Sequence, residues 1–577
     1  NGGIELLLIH NVADLGKQGE VVEVRPGYAR NYLVPQGLAT VATEHHKRMV
    51  DKHRAKLLEI EKDRLKGLHS LADSLGKQSL TIEANANDEG HLYGSVGAPE
   101  IVAALKQQDF NITADQVKLE GVLKELGLYT VKVQLHTEIH AELKVWVVPT
   151  MADEQAAPFI GYVQIEDNKI SAIGPMTEVP THAQRKIDAS GKVIIPGFIS
   201  GHNHLWQSAF RGIASDQALY GWLGALHWTF GDYFAPGDFY TFTLHGALDQ
   251  LAHGITTTYN HSQRLGASEQ LYLESFDAGV DSGQRFIFSY NANSDADVSQ
   301  IEPSVEAFLA YVKLKGGPTV LGLSMNAVGI YRDNQLFFDR EIQVARANDM
   351  TVQMHYLEDY ANRELEQDRW SRIVQAKAVG KDVSYAHFIH TTDAILKQTA
   401  EQGGAMIWNP LSNGRLASGL PAIKDYLQRG IRVGLGVDGA ASADIADPFE
   451  NMRMGLYSLR MQAMDPDVFS PLDILRMHTL GTAAALGVDE QIGSLEVGKL
   501  ADLLIIDLDQ PVTGALFDLP ASLVFSASAA NIESVMVGGE IRASRLSPLN
   551  HDMSQLQAEL KDRVRALIAR QQKAVTE

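Results

Sequence analysis

The sequence contains no cysteine in 577 residues. Disulfide bonds, cysteine-based zinc sites and cysteine nucleophiles are therefore excluded, and a metal ion must be held by histidine, carboxylate or backbone oxygen. The chain also lacks a run of about 18 apolar residues and a basic segment followed by an apolar one, so neither a membrane span nor a secretory signal is predicted. These absences make a cytoplasmic protein without membrane contacts the expectation.

Positive charge is scarce overall, with 50 Lys and Arg against 71 Asp and Glu, a net charge of -21. This balance argues against nucleic-acid binding by the chain as a whole. The acidic excess is uneven, however, because the first 66 residues are slightly basic. A slightly basic N-terminal segment followed by an acidic remainder predicts two different functions. The length predicts roughly three to four domains.

The basic N-terminal segment contains one glycine-rich stretch, between Arg25 and Gly37. Arginine reaches phosphates, tyrosine stacks on unpaired bases and glycine allows close backbone approach, so we interpret the stretch as an RNA-binding loop. A glycine-rich turn with tyrosines in the core is the alternative. The RNA-binding candidates are Arg25, Tyr28, Arg30, Asn31 and Tyr32.

Residues 44–76 are predicted to form one long, mostly polar helix, of the kind that connects domains through solvent. Strand and helix patterns in residues 77–150 predict a small α+β domain. Together these parts resemble bacterial ribosomal protein L9. The positions that carry the resemblance are Gly16, Gly19, Val24, Gly27, Tyr28, Asn31, Tyr32, Leu33, Gly37, Ala39 and Thr43.

The resemblance to L9 implies an rRNA-binding N-domain over residues 1–43, a connecting helix over 44–76 and a C-domain over 77–150. It also implies a partner, 23S-type rRNA of the large ribosomal subunit. The five candidate residues between Arg25 and Tyr32 would make that contact.

The larger part of the chain is organised around two histidines, His202 and His204, which follow the apolar run from Val193 to Ile199. Alternate side chains of a strand point to the same side, so the two imidazoles would face one point and suit a metal ion. A pair of surface histidines is the alternative if nothing else in the sequence completes the site.

Eight apolar strands alternate with segments long enough for helices, which predicts a (β/α)8 TIM-type barrel. Because functional residues lie at the carboxyl ends of barrel strands, the polar residues there are the site candidates. The predicted strands are 194–200, 255–259, 285–290, 320–325, 351–355, 383–387, 405–409 and 432–438.

Four of these strand-end residues can form a metal site with three nitrogen ligands and one oxygen ligand: His202, His204, His355 and Asp438. This set suits one divalent ion, zinc in the first place, with iron or manganese as alternatives. A bound ion lowers the pKa of water and supplies a hydroxide nucleophile. Glu358 is then placed to move protons, and His387 to orient the water.

The same pattern resembles the amidohydrolase superfamily, in its branch of chlorotriazine hydrolases and cytosine deaminase-like enzymes. The resemblance implies metal ligation by the four residues above and catalytic roles for Glu358, His387 and Asp438. Its carriers are Pro196-Gly197-Phe198, His202-Asn203-His204, Gly254-Ile255-Thr256-Thr257, His355-Tyr356-Leu357-Glu358, Ala386-His387, Asn409-Pro410-Leu411-Ser412-Asn413, Gly434-Leu435-Gly436-Val437-Asp438-Gly439 and the stretch from Gly493 to Asp502.

Further domain boundaries follow from this comparison. The predicted domains are a small β-sandwich domain in two pieces, 151–192 and 496–545, a catalytic barrel over 193–495 and a C-terminal helix over 546–577. The chain as a whole is therefore expected to be a multidomain α/β protein. The amphipathic terminal helix is expected to pack on the barrel or on a second subunit, which leaves a homodimer through the barrel open.

Two departures from the family pattern concern the fourth strand. It ends in Met325-Asn326, whereas binuclear relatives have a carboxylated lysine there, so one metal ion is favoured. The nucleoside deaminases of the branch usually have a substrate-contacting histidine nearby, which puts an adenosyl-type substrate in doubt. The substrate-binding candidates are Gln207, Arg211, Asn326 and Asn413, although ordinary helix-surface roles remain open for Gln207 and Arg211.

The predicted function is hydrolysis of C–N bonds by a metal-dependent enzyme that is fused to an L9-like module. The predicted substrate is an amino-substituted N-heterocycle, namely an aminopyrimidine, an aminopurine or a triazine, which the enzyme deaminates. Hydrolysis of another C–N bond or of a C–halogen bond is one alternative. The other is a ribosomal protein that binds large-subunit rRNA and has the barrel as a passenger. His261 and His390 are expected to support the metal ligands or the fold rather than to bind the ion.

Overall fold

The structure is a computed structural model. The chain forms two compact units, one of Asn1–Ser79, Thr113–Leu119 and Thr130–Leu143, the other of Leu80–Ile112, Glu120–Tyr129 and Lys144–Glu577. The structure describes residues 3–17, 19–42, 62–76, 79–80, 91–107, 110–119, 123–125, 129–135, 139–145, 161–176, 179, 183–263, 269–292, 297–332 and 334–576.

The first unit begins with a three-stranded antiparallel sheet in which Ile4–Leu8 lies between Val21–Val24 and Ala39–Val41. A short helix, Pro26–Tyr28, continues as a π-helical turn, Ala29–Leu33. The stretch predicted as a loop is therefore helical, because Pro26 starts the turn and Ala29 and Leu33 bury themselves against the sheet. A helix over residues 62–76 follows, and the predicted helical residues 44–61 lie outside the described part.

The remaining elements before residue 150 are short. A four-stranded sheet has the order Ser79–Leu80, His140–Val145, Tyr129–Gln134 and Val117–Lys118, and His91–Val96 pairs with Leu123–Glu125. The helix Ala98–Gln107 lies between the last two strands in sequence.

The barrel prediction is confirmed. Eight strands pair in parallel in sequence order, and the N–H of Asp438, just past the last strand, donates to the carbonyl of His202 in the first strand at 3.1 Å. The strands are Phe198–Asn203, Ile255–His261, Arg285–Tyr290, Val320–Asn326, Thr351–Tyr356, Val383–His387, Ala405–Trp408 and Arg432–Leu435.

The first barrel strand differs from the prediction, which ran one strand from residue 194 to 200. The segment divides at Gly197: Val193–Pro196 belongs to the small antiparallel sheet, and Phe198–Asn203 starts the barrel. A Cβ atom at Gly197 would overlap the side chain of Thr256, so only glycine allows the chain to cross from one sheet to the other here.

Helices cover the outside of the barrel strands. Some of the longer ones have apolar residues buried on one side, as in Ile301–Lys315, where Ile301, Val305 and Phe308 are buried. The α-helices of this region are Leu219–Leu223, Asp238–Ala252, Glu269–Ser282, Ile301–Lys315, Gln335–Ala347, Arg363–Asp368, Trp370–Gln375, Asp393–Gln402, Pro410–Arg415, Ile423–Gln428, Pro448–Ala463, Pro471–Arg476, Thr482–Leu486, Leu519–Ala521 and Met553–Thr576.

The flanking β structure consists of a hairpin, Gly161–Glu166 with Lys169–Pro175, and a five-stranded antiparallel sheet. Ile170 of the hairpin shares an apolar core with Leu503 and Met536 of the sheet, which gives the predicted sandwich. The sheet has the order Val193–Pro196, Leu503–Ile506, Ile532–Val537, Glu540–Ser544 and Ser547–Pro548. Within the described residues, no helix has both the length and the apolarity that a membrane crossing requires.

Candidate functional site

Four side chains meet at the carboxyl end of the barrel: His202, His204, His355 and Asp438. Nε2 of His202 and Nε2 of His204 each lie 3.5 Å from Oδ1 of Asp438. Nε2 of His204 lies 3.1 Å from Nε2 of His355. Strands 1, 5 and 8 thus bring together the four residues that the sequence predicted as a metal site.

The hydrogen bonds behind the ligands fix which nitrogen faces the centre. Nδ1 of His204 lies 2.7 Å from the carbonyl of His261, and because a carbonyl only accepts, Nδ1 is the protonated nitrogen. The Nε2 lone pair of His204 therefore faces the Nε2 atom of His355. Nε2 of His202 is buried and has no hydrogen-bond partner among the described residues. A cation at this point would stabilise the unpartnered Nε2 atom of His202 and the lone pair of His204 Nε2.

The spacing suits a small divalent ion. Ligand atoms about 2.1 Å from a tetrahedral centre lie about 3.4 Å from one another. The separation of 3.1 Å between the Nε2 atoms of His204 and His355, and those of 3.5 Å from His202 and His204 to Asp438 Oδ1, are close to that value. The donor set and its geometry therefore fit a divalent metal ion.

Burial controls the protonation of the ligands. Desolvation, with the neighbouring His204, lowers the pKa of His202 to about 3, and desolvation also lowers the pKa of His204 and His355. Burial alone would raise the pKa of Asp438, but the imidazoles around it outweigh burial and lower it. Neutral imidazole and ionised carboxylate are the forms that bind metal ions.

Two further groups, Glu358 and His387, face the same centre. Nε2 of His387 lies 3.4 Å from Oε2 of Glu358 and 3.8 Å from Oδ2 of Asp438. Burial, and then the charge of Asp438, raises the pKa of Glu358 well above its usual value. Burial lowers the pKa of His387 to about 4. The site thus pairs a carboxyl group whose burial favours the protonated form with an imidazole whose burial favours the neutral form.

Backbone strain is concentrated at these strand ends. Leu357, His387, Phe388 and Asp438 have φ angles of 55°, 70°, 47° and 56°. Such left-handed conformations cost of order 1–3 kcal/mol in non-glycine residues and cluster at functional sites. The strain turns the chain sharply after strands 5, 6 and 8, so that Glu358, His387 and Asp438 point across the barrel mouth.

The four residues predicted to contact substrate differ in burial and in hydrogen-bond partners. Gln207 is fully buried above Gly439, and neither of its amide atoms has a partner among the described residues. Arg211 is tied to Asp249 at 2.7 Å, so its guanidinium is engaged within the protein. Nδ2 of Asn326 donates to the carbonyl of Ser262 at 3.2 Å.

Asn413, the fourth of these candidates, lies behind His387 instead of at the open mouth. Its Nδ2 atom donates to Nδ1 of His387 at 2.8 Å. The helix Pro410–Arg415, which begins immediately after the seventh strand, carries it there. Asn413 therefore contacts the imidazole of His387 directly.

The sequence analysis did not single out Gln353, which lies beneath the candidate metal ligands. It precedes His355 by two residues in the fifth strand, and strand alternation places both side chains on the inner face of the barrel. That alternation was the available signal. Nδ1 of His202 lies 2.7 Å from Oε1 of Gln353. His261 also belongs to this supporting layer, as expected, because its Nδ1 lies 3.2 Å from the same oxygen.

The five RNA-binding candidates of the first unit are all exposed. Tyr28 and Tyr32, one helical turn apart, stack with ring centroids 5.5 Å apart and planes within 9°. They are 42% and 48% exposed, which excludes the alternative that they are core residues. Two parallel aromatic faces in solvent, next to Arg25 and Arg30, form a surface that can stack on bases and contact phosphates.

Three family models match separate stretches of the chain. Residues 193–542 match the amidohydrolase family, residues 4–50 the N-terminal domain of ribosomal protein L9, and residues 67–149 its C-terminal domain. The large ribosomal subunit protein bL9 of Rhodopirellula baltica is 68% identical over 158 residues, which are 27% of this chain and 89% of that protein.

The larger part is similar to deaminases. The 5-methylthioadenosine/S-adenosylhomocysteine deaminase of Desulforudis audaxviator is 29% identical over 72% of this chain and 96% of its own length. An adenosine deaminase from Xanthomonas campestris with bound zinc has a TM-score of 0.66 at 22% identity, over 73% of this chain and 97% of that one. Atrazine chlorohydrolase from Arthrobacter aurescens, complexed with zinc, has a TM-score of 0.64 at 24% identity, over 72% and 98%. These two structures show a shared fold.

Proposed function

Because the chain belongs to the amidohydrolase family over residues 193–542 and to the ribosomal protein L9 family over its N-terminal part, we propose that it is a metal-dependent deaminase joined to an rRNA-binding module. One observation carries the enzymatic half. Three imidazole nitrogens and a carboxylate converge within 3.1 to 3.5 Å, beside the buried acid Glu358.

His202, His204, His355 and Asp438 would hold the metal ion. Zinc is our first choice, because three imidazoles and one carboxylate are ligands that it favours, and the two related structures contain zinc. Iron and manganese are the alternatives. When bound, the ion supplies a nucleophile from water at neutral pH.

Glu358 and His387 would move the protons. As water adds to the ring carbon that carries the amino group, one water proton passes to the ring nitrogen through Glu358. The C–N bond then breaks, the amino group takes the second water proton by the same route, and ammonia leaves behind a carbonyl group. The 3.4 Å separation of His387 Nε2 from Glu358 supports a role for His387 in aligning this acid and the attacking water.

Substrate recognition is proposed to centre on Gln207. A buried carboxamide without partners among the described residues offers an NH2 group as donor and an oxygen as acceptor, which match the edge of an amino-substituted ring. Arg211 is the weaker candidate because Asp249 already engages it. Asn326 and Asn413 would act through Ser262 and His387 rather than by direct contact.

Ammonia release on a substrate panel tests the enzymatic half. Purified full-length protein, loaded with zinc, is mixed with aminopyrimidines, aminopurines, aminotriazines and chlorotriazines. The curated relatives are named for adenosyl substrates, so 5'-methylthioadenosine belongs in the panel, although the absence of a histidine at Asn326 argues against it. We expect ammonia from one amino-substituted ring and none with the Glu358→Gln variant. Chloride release instead of ammonia would favour C–halogen hydrolysis, and no turnover of any compound would contradict the proposal.

The N-terminal part is proposed to bind 23S-type rRNA through Arg25, Tyr28, Arg30, Asn31 and Tyr32. The stacked and exposed pair of tyrosines supports this half. We propose that the predicted boundaries, 1–43, 44–76, 77–150, 151–192 with 496–545, 193–495 and 546–577, separate the corresponding domains, except that Val193–Pro196 and Ser547–Pro548 belong to the small β domain. Both activities are compatible with one chain, because the residues that carry them lie in separate compact units.

A further inference from the structure

Gln353 uses every hydrogen-bonding position of its side chain. Its Oε1 atom lies 2.7 Å from Nδ1 of His202 and 3.2 Å from Nδ1 of His261. Its Nε2 atom donates to the carbonyl of Gly201 at 3.0 Å and to the hydroxyl of Ser384 at 3.1 Å. The side chain is fully buried inside the barrel. One carboxamide therefore connects strands 1, 2, 5 and 6 directly beneath the proposed metal ligands.

These contacts determine how the amide is oriented. The carbonyl of Gly201 can only accept a hydrogen bond, so the atom of Gln353 that faces it must be the amide nitrogen. The amide oxygen then faces the two imidazoles and can only accept. Nδ1 of His202 and Nδ1 of His261 must both carry the proton. It follows that Nε2 of His202 presents its lone pair to the centre of the site.

We infer that Gln353 is a positioning residue for the metal site, which fixes the tautomer and the ring orientation of His202. This inference rests on the proposed metal site. An imidazole that donates its second N–H to a fixed acceptor loses the freedom to present the wrong nitrogen, and ligands held in this way bind metal ions more tightly. His261 donates to the same oxygen, so Gln353 also holds its ring in place. The ring centroids of His261 and His355 lie 4.5 Å apart.

A purely structural role would make different predictions, and the barrel contains a matched control. Gln284 is also a buried glutamine; it donates to the carbonyl of Ile255 at 2.7 Å and to Gln250 at 3.3 Å. It precedes the third strand, at the end of the barrel opposite the metal ligands. Loss of its amide removes two buried hydrogen bonds without touching an imidazole.

The experiment compares Gln353→Met, Gln353→Glu, Gln284→Met and wild-type full-length protein. The dissociation constants for Zn²⁺ and Co²⁺ are measured by competition with a chromophoric chelator, and the visible spectrum of bound Co²⁺ reports the ligand geometry. We expect Gln353→Met to weaken metal binding about 10- to 100-fold and to alter the Co²⁺ spectrum. Gln353→Glu retains an acceptor for the Nδ1–H groups and should bind more tightly than Gln353→Met. Gln284→Met should lower the melting temperature with wild-type metal affinity.

A second readout follows the tautomer itself. Histidine-selective ¹⁵N labelling of the metal-free protein distinguishes a protonated Nδ1 from a protonated Nε2 by their chemical shifts. We expect one imidazole resonance set, assigned to His202 by its loss in His202→Ala, to change from the Nδ1–H tautomer to a mixture in Gln353→Met.

The outcomes separate this inference from the proposed function. If the wild type binds metal and Gln353→Met binds it equally well with an unchanged spectrum, the positioning role is wrong and the metal site stands. Equal losses in Gln353→Met and Gln284→Met would likewise assign Gln353 a structural role only. If the wild type binds neither Zn²⁺ nor Co²⁺, the metal site is wrong, and the inference that rests on it fails too.

Discussion

The side-chain amide of Asn413 donates to Nδ1 of His387 across 2.8 Å, which places the imidazole proton on Nε2, facing Glu358 and Asp438. His387 is thus prepared as a neutral hydrogen-bond donor toward the reaction centre, and burial, which lowers its pKa to about 4, keeps it neutral at pH 7. The partner behind the ring decides which nitrogen donates in front.

The first prediction concerns a substitution that moves the imidazole proton of His387 from Nε2 to Nδ1. Asn413→Asp offers Nδ1 an acceptor, so the proton moves to Nδ1 and Nε2 loses its N–H. We expect kcat/KM for the substrate found in the panel to fall about 10- to 100-fold, while the metal content stays at the wild-type level. Asn334→Ala is the control. It removes the side chain that caps the helix Gln335–Ala347, at a position distant in sequence from Asn413. Unchanged turnover by Asn413→Asp would show that the orientation of His387 is unimportant.

The second prediction concerns removal of the metal. His202→Ala should purify with little bound zinc, because the four ligands converge on one point, and should show no ammonia release. Dialysis of wild-type protein against a chelator should lower the melting temperature, and added Zn²⁺ at about 100 times its Kd should restore about 2.7 kcal/mol of stability. His245→Ala, which loses a contact to Gln557, should keep its metal. Full zinc content in His202→Ala would contradict the site.

Much of the barrel could be predicted because its signals are local. Short apolar runs that end in polar residues mark the strands, and parallel closure then brings strands 1, 5 and 8 to one mouth, so His202, His204, His355 and Asp438 could be grouped without a structure. The break at Gly197 could not be seen, because both halves of the segment are apolar and only Thr256, distant in sequence, requires the glycine.

Other features depend on contacts between distant strands. Asp438 follows its strand by three residues and reaches the site through a left-handed backbone, which no periodicity indicates. The tautomers of His202 and His387 are set by Gln353 and Asn413, whose partners lie 151 and 26 residues away. The sequence predicts a loop at Pro26, where the structure has a helical turn, because glycine and proline are equally typical of turns.

The third prediction is a pH dependence of stability. Burial raises the pKa of Glu341 to about 8, although the N–H groups of Gly329 and Val328 donate to it. Between its ordinary pKa of 4.5 and about 8, the unfolded chain releases a proton that the folded chain keeps, so stability falls as the pH rises across this window. Glu341→Gln should remove this pH-dependent loss of stability. The melting temperature of the variant, relative to that of the wild type, should therefore increase from pH 5 to pH 8.

The control for Glu341 is Glu302→Gln, in an exposed ion pair with Arg340. It should leave the pH profile of the melting temperature unchanged. If Glu341→Gln and the wild type give parallel profiles from pH 5 to pH 8, the carboxyl group of Glu341 ionises normally in the folded protein, and the prediction is wrong.

The fourth prediction concerns the ion pair that joins the barrel to the small sheet. Arg285 binds Asp502 through two nitrogens, at 2.6 and 2.8 Å, and both side chains are buried. Asp502 also accepts the N–H of Gly538 at 2.7 Å. Removal of one partner leaves a buried charge uncompensated, so Arg285→Met should cost about 3–5 kcal/mol.

A double-mutant cycle tests this pair. Arg285→Met with Asp502→Leu should cost less than the sum of the two single substitutions, because no charge is left unpaired. Arg346→Met is the matched control: it breaks a partly exposed pair with Asp382 and should cost at most about 1 kcal/mol. Additive effects in the cycle would show that the two buried side chains do not stabilise each other.

The last prediction tests the tyrosine pair of the first unit. Tyr28 and Tyr32 stack at 5.5 Å with exposed faces, so Tyr32 offers a ring to an unpaired base and Arg30 offers a charge to a phosphate. Tyr32→Ala should weaken binding of the full-length chain to protein-free 23S-type rRNA about 10-fold, the effect of one lost base stack, without changing the salt dependence. Arg30→Ala should instead reduce the slope of log K against log salt by about 1. Val41→Ala, which truncates another exposed side chain of the same unit, should bind as the wild type does. Wild-type affinity and wild-type salt slope in both variants would place the RNA contact elsewhere, because stacking and phosphate contacts are lost by these two changes independently.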